Sequence, residues 1–310
     1  MSDVVLVTGA GGFAGSHLVE HLLASPKPAS GEAGSSSSHE VVGWTRQTVD
    51  LLDRDRVRDA IRELRPAQVY HCAGVPHVAE SWHDTAQPLE GNVLATGHLL
   101  DALRRANVRC RVLIPGSATV YAPSPGPIAE TGAIAASSPY AISKLAQEQL
   151  ALHAIQEDGL DVIVTRSFNH TGPRQAPAFV APSMARQIAL IEQGRIEPVI
   201  KVGNLEAQRD LTDVRDVVRA YAALMRTGTT GVVYNVASGV ARSIQSILDA
   251  FVARSHAPVR VEVDPGRLRP NDVPVVVGDC SRLSAATGWR PEITFDRMLD
   301  DLLSYWRTHA

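Results

Sequence analysis

Short runs of β-branched and aliphatic residues alternate along this chain with stretches whose apolar positions recur every three or four residues. Val4-Val5-Leu6-Val7 reads as a buried strand, and Ser16 to Leu23 follows it as a helix. Val41 to Trp44 is a second strand, and Arg54 to Leu64 has helical spacing at Val57, Ile61 and Leu64. The rhythm continues with a strand from Val69 that ends in Gly74, a helix from Asn92 to Leu103, and a strand at Val112-Leu113-Ile114. Leu160 to Thr165 is one more strand. Helices then follow over Phe179 to Gln193, Asp213 to Met225 and Ile244 to Arg254. The alternating charges of the Asp213 helix read as a solvated face. Strands alternating with helices predict βαβ units and a doubly wound parallel sheet, an α/β fold. The run Val232 to Val236 is expected to rejoin that sheet. Two regions follow: residues 1–168 with a returning segment near 230–256, and residues 169–310 as mainly a second, smaller, interleaved unit.

The first strand runs directly into Thr8-Gly9-Ala10-Gly11-Gly12-Phe13-Ala14-Gly15. Gly9, Gly12 and Gly15 have the G-x-x-G-x-x-G spacing between a strand and a helix. Such glycines permit a tight turn and let backbone approach a pyrophosphate at the helix N-terminus. This predicts a dinucleotide cradle and makes the fold Rossmann-type, with Phe13 inside the cradle. An acid at the end of the second strand would hold a free ribose 2′-hydroxyl. Thr45-Arg46 stands there instead, and Arg46 suits a 2′-phosphate, so NADP is favoured over NAD. A surface arginine beside a loop is the plainer reading of the same residue. Ser25 to Glu40 is rich in Pro, Gly, Ala and Ser and reads as a flexible surface loop without chemistry.

Tyr140 and Lys144 stand four apart, on one face of a helix. An ammonium beside a phenol favours the phenolate, so the Tyr140 pKa is expected to fall from about 10. Such a tyrosine exchanges a proton with an alcohol or carbonyl oxygen. Ser117, after the Val112-to-Ile114 strand, could hold the same oxygen at the carboxyl edge of the sheet, where open α/β folds bind ligands. Alone, the Tyr–Lys pair is a common solvated helix face. The cradle gives it a partner.

Composition narrows the field. The chain has 310 residues, is 45% hydrophobic and 20% charged, and carries a net charge of −3. No Lys/Arg block suggests nucleic acid, and no run of eighteen apolar residues suggests a membrane span. Cys72, Cys110 and Cys280 lack metal-ligand spacing, so no metal is expected. They read as structural thiols in a reducing compartment, the cytoplasm. Nothing at the N-terminus resembles a signal peptide.

Thr8 to Gly15, Asp50-Leu51, His71-Cys72-Ala73-Gly74, Ser117-Ala118-Thr119-Val120-Tyr121 and Tyr140 to Lys144 together resemble an extended short-chain dehydrogenase/reductase. The resemblance implies a nicotinamide cofactor and a catalytic trio of Ser117, Tyr140 and Lys144. It also implies that Asp50 and Leu51 lie near the adenine, Ala73 and Gly74 along the cofactor, and Asn92 on its ribose side. Phe168 to Pro173, Val202 to Asp213 and Arg269-Pro270-Asn271-Asp272-Val273 resemble, more narrowly, GDP-4-dehydro-6-deoxy-D-mannose reductases and their GDP-mannose 4,6-dehydratase relatives. Carried over, Asn169, Arg209 and Arg269 would face a substrate diphosphate, as arginine forks do. Asp272 would hold ribose hydroxyls, and guanine would lie in the smaller region.

The dehydratases carry a Glu two residues after the catalytic hydroxyl. Here Ala118 and Thr119 occupy those positions, and neither exchanges protons near neutral pH. The family's glycine after the following tyrosine is Ala122. The expected activity is therefore an NADPH-dependent reductase of the C4 ketone of a GDP-4-keto-6-deoxyhexose, giving a GDP-6-deoxyhexose such as GDP-rhamnose. The alternatives are a nucleotide-sugar 4-epimerase with tightly bound NAD and a non-catalytic cofactor-binding regulator, which predicts a damaged trio. Relatives commonly pair through first-domain helices. A homodimer is expected through the Asn92-to-Leu103 and Tyr140-to-Gln156 helices.

Overall fold

The computed structural model describes residues 4–24, 40–76, 78–268 and 273–310. The first half alternates strictly: β1 (Val4–Thr8), α1 (Phe13–Ala24), β2 (Glu40–Trp44), α2 (Arg54–Leu64) and β3 (Gln68–His71). Then come α3 (Ala86–Pro88), a π-helical turn (Leu89–Leu94) and α4 (Ala95–Arg105) as one continuous helical run. β4 (Arg111–Ser117), α5 (Pro139–Asp158) and β5 (Asp161–Ser167) complete this half. Local chemistry sets the ends of the helices. The Asp53 carboxylate accepts from Arg56 N at the start of α2. Ser138 accepts from Ala141 N ahead of Pro139, and Gly159 ends α5 at φ 65.

The second half contributes β6 (Asn169–Thr171), α6 (Val180–Glu192), β7 (Val199–Val202), β8 (Gln208–Asp213) and α7 (Val214–Thr227). It continues with β9 (Val233–Val236), β10 (Ala241–Ser243), α8 (Ile244–Val252), β11 (Arg260–Val263) and β12 (Val275–Val276). The last elements are α9 (Ser281–Thr287) and α10 (Phe295–His309). No helix among the described residues is long and apolar enough to cross a membrane.

The main sheet has the order β2-β1-β3-β4-β5-β9 and every neighbour is parallel. The Rossmann-type doubly wound sheet expected from the sequence is present. Connections leave β1 and β3 in opposite directions, so their carboxyl ends flank a crevice. On one face, Leu6, Val69, Val112 and Val162 pack with Val57 and Ile61 of α2, Leu99 and Leu103 of α4, and Ala151 of α5. On the other, Val5, Val7, Leu113 and Ile163 pack with Leu18 of α1, Val217, Tyr221 and Leu224 of α7, and Leu283 of α9.

That second face corrects two expectations. The sequence puts the helix at 213–225 within the region that is mainly the smaller unit, yet α7 is a covering layer of the main sheet. A parallel sheet must be covered on both faces, and α1 alone cannot do so. Its charges are not simply solvated either. Asp213 and Asp216 are buried. Asp213 caps α7 and is gripped by Arg215, while Asp216 accepts from the Glu292 and Ile293 amides.

A second lobe is built from β10-β8-β12, with β6 also on β8, and from the pair β11-β7. Its core joins Met184 and Ile188 of α6, Ile247 and Phe251 of α8, and Leu299, Leu302 and Trp306 of α10. Only β9 of the 230–256 segment enters the main sheet, whereas β10 and α8 pack in this lobe.

Candidate active site

Glycine is required at two positions of the cradle turn. Gly9 has φ +68, and a Cβ there would stand 2.6 Å from Ala73 N. A Cβ on Gly15 would overlap the Gly9 carbonyl, and one on Gly12 would lie 3.2 Å from the same oxygen. The turn is tied by Gly12 N to Gly9 O at 2.9 Å and Ala10 N to Trp44 O at 3.0 Å. α1 begins at Phe13, so its first amides and positive dipole end face the turn. A bare backbone concavity at a helix N-terminus fits a dinucleotide pyrophosphate. The Phe13 ring stacks on His170 at 5.8 Å and meets His17 edge-on at 5.7 Å. What Phe13 offers the cradle is its backbone.

Arg46 lies just past β2, in a turn fixed by Thr45 N donating to Thr48 Oγ1 at 2.9 Å. That turn flanks the cradle, since a Cβ on Gly11 would lie 3.4 Å from Thr45 Cγ2. The Arg46 side chain is exposed, with Nε 3.7 Å from Asp50 Oδ2. Asp50 also accepts from Leu52 N at 3.0 Å, and Leu51 is buried. Asn92 sits in the π-helical turn, a local distortion frequent at functional sites. Its side chain is fully engaged: Oδ1 accepts from Val75 N at 2.9 Å, and Nδ2 donates to Ser143 Oγ at 2.9 Å and Val75 O at 3.3 Å. Asn92 therefore pins the Ala73-to-Val75 segment to α5. A Cβ on Gly74 would collide with it.

Ser117 closes β4, opposite Ser167 in the β5 register. Its Oγ lies 2.9 Å from Thr119 Oγ1 and accepts from Thr119 N at 3.3 Å. The Ser138 cap places Tyr140 in the first turn of α5 and Lys144 one turn later, and Tyr140 N donates to Ser81 Oγ at 3.3 Å. Ser117 and Tyr140 meet closely enough for the hydroxyl to draw the phenol pKa down. The expected direction is nevertheless reversed. Burial outweighs that hydrogen bond and holds Tyr140 above its ordinary range. The Lys144 ammonium points instead to Pro115 O and Gln147 Oε1, both at 2.6 Å. Burial pulls its own pKa down to about 8.

Of the residues expected at the substrate, Asn169 opens β6 and is exposed, facing Leu211 in the β8 register. Arg209 lies two residues earlier on β8, so the period of two puts it on the same face. Arg209 Nη1 donates to the Gln208 and Val273 carbonyls at 2.8 and 2.7 Å. Arg269 and Asp272 lie outside the described residues. Beside Arg209, buried Asp210 accepts from Ser238 N, Ser238 Oγ, Gly239 N and Gly278 N at 2.7 to 3.2 Å. It binds β8 to the loops after β9 and β12. Sequence reading overlooked Asp210, Thr96 and Gln147. The signal for the last two was present: Thr96 is four residues from Asn92, and Gln147 three from Lys144, each on the buried face of its helix. No cluster of metal-ligating side chains occurs among the described residues.

Residues 6–302 match the GDP-mannose 4,6 dehydratase family. The GDP-6-deoxy-D-mannose reductase of Pseudomonas aeruginosa is 36% identical over 317 residues, covering 100% of this chain and 99% of its own. A solved structure of RMD from Pseudomonas aeruginosa complexed with NADPH superposes with a TM-score of 0.90 at 35% identity, covering 100% of both chains. The Thermus thermophilus UDP-glucose 4-epimerase in complex with NAD superposes at 0.82 with 30% identity, covering 99% of this chain and 100% of that one.

Proposed function

The chain belongs to the GDP-mannose 4,6 dehydratase family, and within it we propose an NADPH-dependent reductase of the C4 ketone of a GDP-4-keto-6-deoxyhexose. The product is a GDP-6-deoxyhexose such as GDP-rhamnose. One observation carries the choice among the family's reactions. The position two residues beyond Ser117 holds Thr119, whose hydroxyl is 2.9 Å from Ser117 Oγ, where a dehydratase needs an acid. The full-length likeness to a GDP-6-deoxy-D-mannose reductase supports the same reading.

The glycine turn, the α1 amides and Arg46 would hold NADPH, which supplies hydride when bound. Ser117 hydrogen-bonds the ketone oxygen and fixes its direction. Tyr140 donates its proton to that oxygen as the alcohol forms. A phenol kept protonated by burial suits donation, the sense a reduction requires. Lys144, whose ammonium is anchored by Pro115 O and Gln147, would orient the nicotinamide ribose. Asn169, Arg209, Arg269 and Asp272 take the nucleotide diphosphate and ribose.

Incubation with the 4-keto sugar is expected to oxidise NADPH stoichiometrically, and faster than NADH. Interconversion of C4 epimers by tightly retained NAD, without net NADPH loss, would instead make the protein an epimerase. Three free thiols suit the cytoplasm. We also assign a homodimer. Leu89, Leu94 and Ile142 are 45 to 51% exposed on the π-helical turn and the adjoining part of α5, a patch that pairing would cover.

A further inference from the structure

We propose that Gln147, Thr96 and His71 are positioning residues for Lys144, acting as one directed hydrogen-bond chain that begins at the glycine turn. The assignment rests on the reductase reading for its kinetic meaning, but its geometry is independent of it. Thr8 of β1, His71 of β3, Thr96 of α4, and Gln147 and Lys144 of α5 are all buried. They form an unbroken line. Thr8 Oγ1 lies 2.8 Å from His71 Nδ1, and His71 Nε2 lies 2.9 Å from Thr96 Oγ1. Gln147 Nε2 donates to Thr96 Oγ1 at 2.7 Å, and Lys144 Nζ donates to Gln147 Oε1 at 2.6 Å.

Donor and acceptor chemistry fixes every proton in this line. An ammonium only donates, so the Gln147 oxygen must face Lys144 and its amide nitrogen must face Thr96. Thr96 gives its one proton to the Asn92 carbonyl at 2.5 Å. It can therefore only accept from Gln147 and from His71, so His71 carries its proton on Nε2. His71 Nδ1 then accepts from the Thr8 hydroxyl, whose oxygen receives Ala73 N–H at 3.3 Å. Ala73 is the residue against which Gly9 packs. The line thus runs from the cradle to the lysine with one consistent proton order.

The consequence is control of one amide. A buried ammonium needs acceptors. Pro115 O and Gln147 Oε1 satisfy two of its N–H groups, and the third has no protein acceptor among the described residues. If Gln147 turned over, an NH2 group would face the ammonium. Thr96, held in its accepting state by Asn92 and His71, prevents that turn. The titratable groups whose charge would reach Lys144 are His71 and Cys72, from β3 and the residue after it; Tyr140 lies one turn earlier on the same helix, and Arg166 of β5 is paired with Glu148 of α5. Arg166 and Glu148 neutralise each other, and burial keeps His71 and Cys72 neutral. α4 and β4 supply neutral groups, Thr96 and the Pro115 carbonyl. The Gln147 carbonyl is then the adjustable polar influence on the lysine.

The test follows the alkaline limb of kcat for keto-sugar reduction, with NADPH saturating, in wild type, Gln147→Leu, Gln147→Glu, Thr96→Val and Thr96→Ser. Loss of the acceptor moves the limb to lower pH by about one unit in Gln147→Leu and Thr96→Val, and a carboxylate moves it upward in Gln147→Glu. Thr96→Ser, which keeps the hydroxyl, restores the wild-type limb. Variants that lose rate equally at every pH would reduce these residues to packing and overturn the assignment. Imidazole 15N spectra of the protein without cofactor give a second readout that needs no turnover. They should show His71 protonated on Nε2 alone from pH 5 to pH 8, and an Nδ1–H ring or an imidazolium would contradict the chain. A wild type inactive on the keto sugar would sink the reductase reading alone, because the spectra still decide the proton order.

Discussion

In the first lobe the candidate trio stands on a strand end and a twenty-residue helix, with Ser117 at 7% and Lys144 at 8% exposure. In the second lobe Asn169 and Arg209 stand on strands of three and six residues, and all four residues of β11 are exposed. The first lobe fixes its polar groups through partners on other elements. Asn92, Lys144 and Gln147 each have defined partners from other elements. The second lobe relies on one buried carboxylate, Asp210, to tie its central strand to the main sheet's exit loop. A reacting oxygen must be met within a fraction of an ångström, whereas a long nucleotide can be gripped by groups that adjust. On the proposed assignment of tasks, the contrast in how the two lobes anchor their polar groups follows the contrast in what each must hold.

The largest expected effect is at Tyr140. Tyr140→Phe removes the proton donor and nothing that holds the fold. It should lower kcat by about 10²–10⁴-fold while NADPH binding and melting temperature stay unchanged. Activity within a few-fold of wild type would remove Tyr140 from the chemistry. Asp210→Asn tests the other lobe. One carboxylate oxygen receives three donors and the other two, so an amide NH2 must face at least two of them. A loss of about 3 kcal/mol in urea unfolding is expected. KM should rise for the nucleotide sugar and not for NADPH. If both rise equally, the lobes are not separate in function.

A smaller effect separates burial from bonding in the first lobe. Burial lowers the His71 pKa from 6.5 to about 3. Between those values the unfolded chain binds a proton that the folded chain does not. Stability is therefore full above about pH 6.5 and falls as pH drops, by up to about 1.4 kcal/mol per unit. His71→Gln should remove about one proton's worth of that slope in urea titrations at pH 7, 6 and 5. An unchanged slope would mean the imidazole is not held neutral. The smallest expectation concerns Arg46, exposed and 3.7 Å from Asp50. Arg46→Ala should reduce the preference for NADPH over NADH by no more than about tenfold, since exposed pairs are weak. No change at all would place 2′-phosphate recognition elsewhere.

The parts of this site that were legible in sequence are those whose cause is local. Gly9 and Gly15 exclude a Cβ within one turn and Gly12 crowds one, and Tyr140 and Lys144 share a face by helix geometry alone. α10 was legible but unread, because Met298, Leu299, Leu302, Leu303 and Trp306 follow a helical period. Other features needed the third dimension. Amphipathicity of α7 does not say which sheet face it covers. Thr8 and His71 are 63 residues apart, and Thr96 and Gln147 are 51 apart, so no spacing announces their bonds. The Tyr140 shift was read with the wrong sign for the same reason. The sequence sets Lys144 one turn away, but only the fold gives the ammonium its acceptors and buries the phenol.

Isotope transfer separates reduction from epimerisation. With NADPH deuterated at the reactive C4 position and a GDP-4-keto-6-deoxyhexose, one deuterium per cofactor oxidised should appear at C4 of the sugar in a single configuration. A cofactor that keeps its deuterium and is not consumed, with no deuterium appearing at C4 of the sugar, would contradict the reductase account.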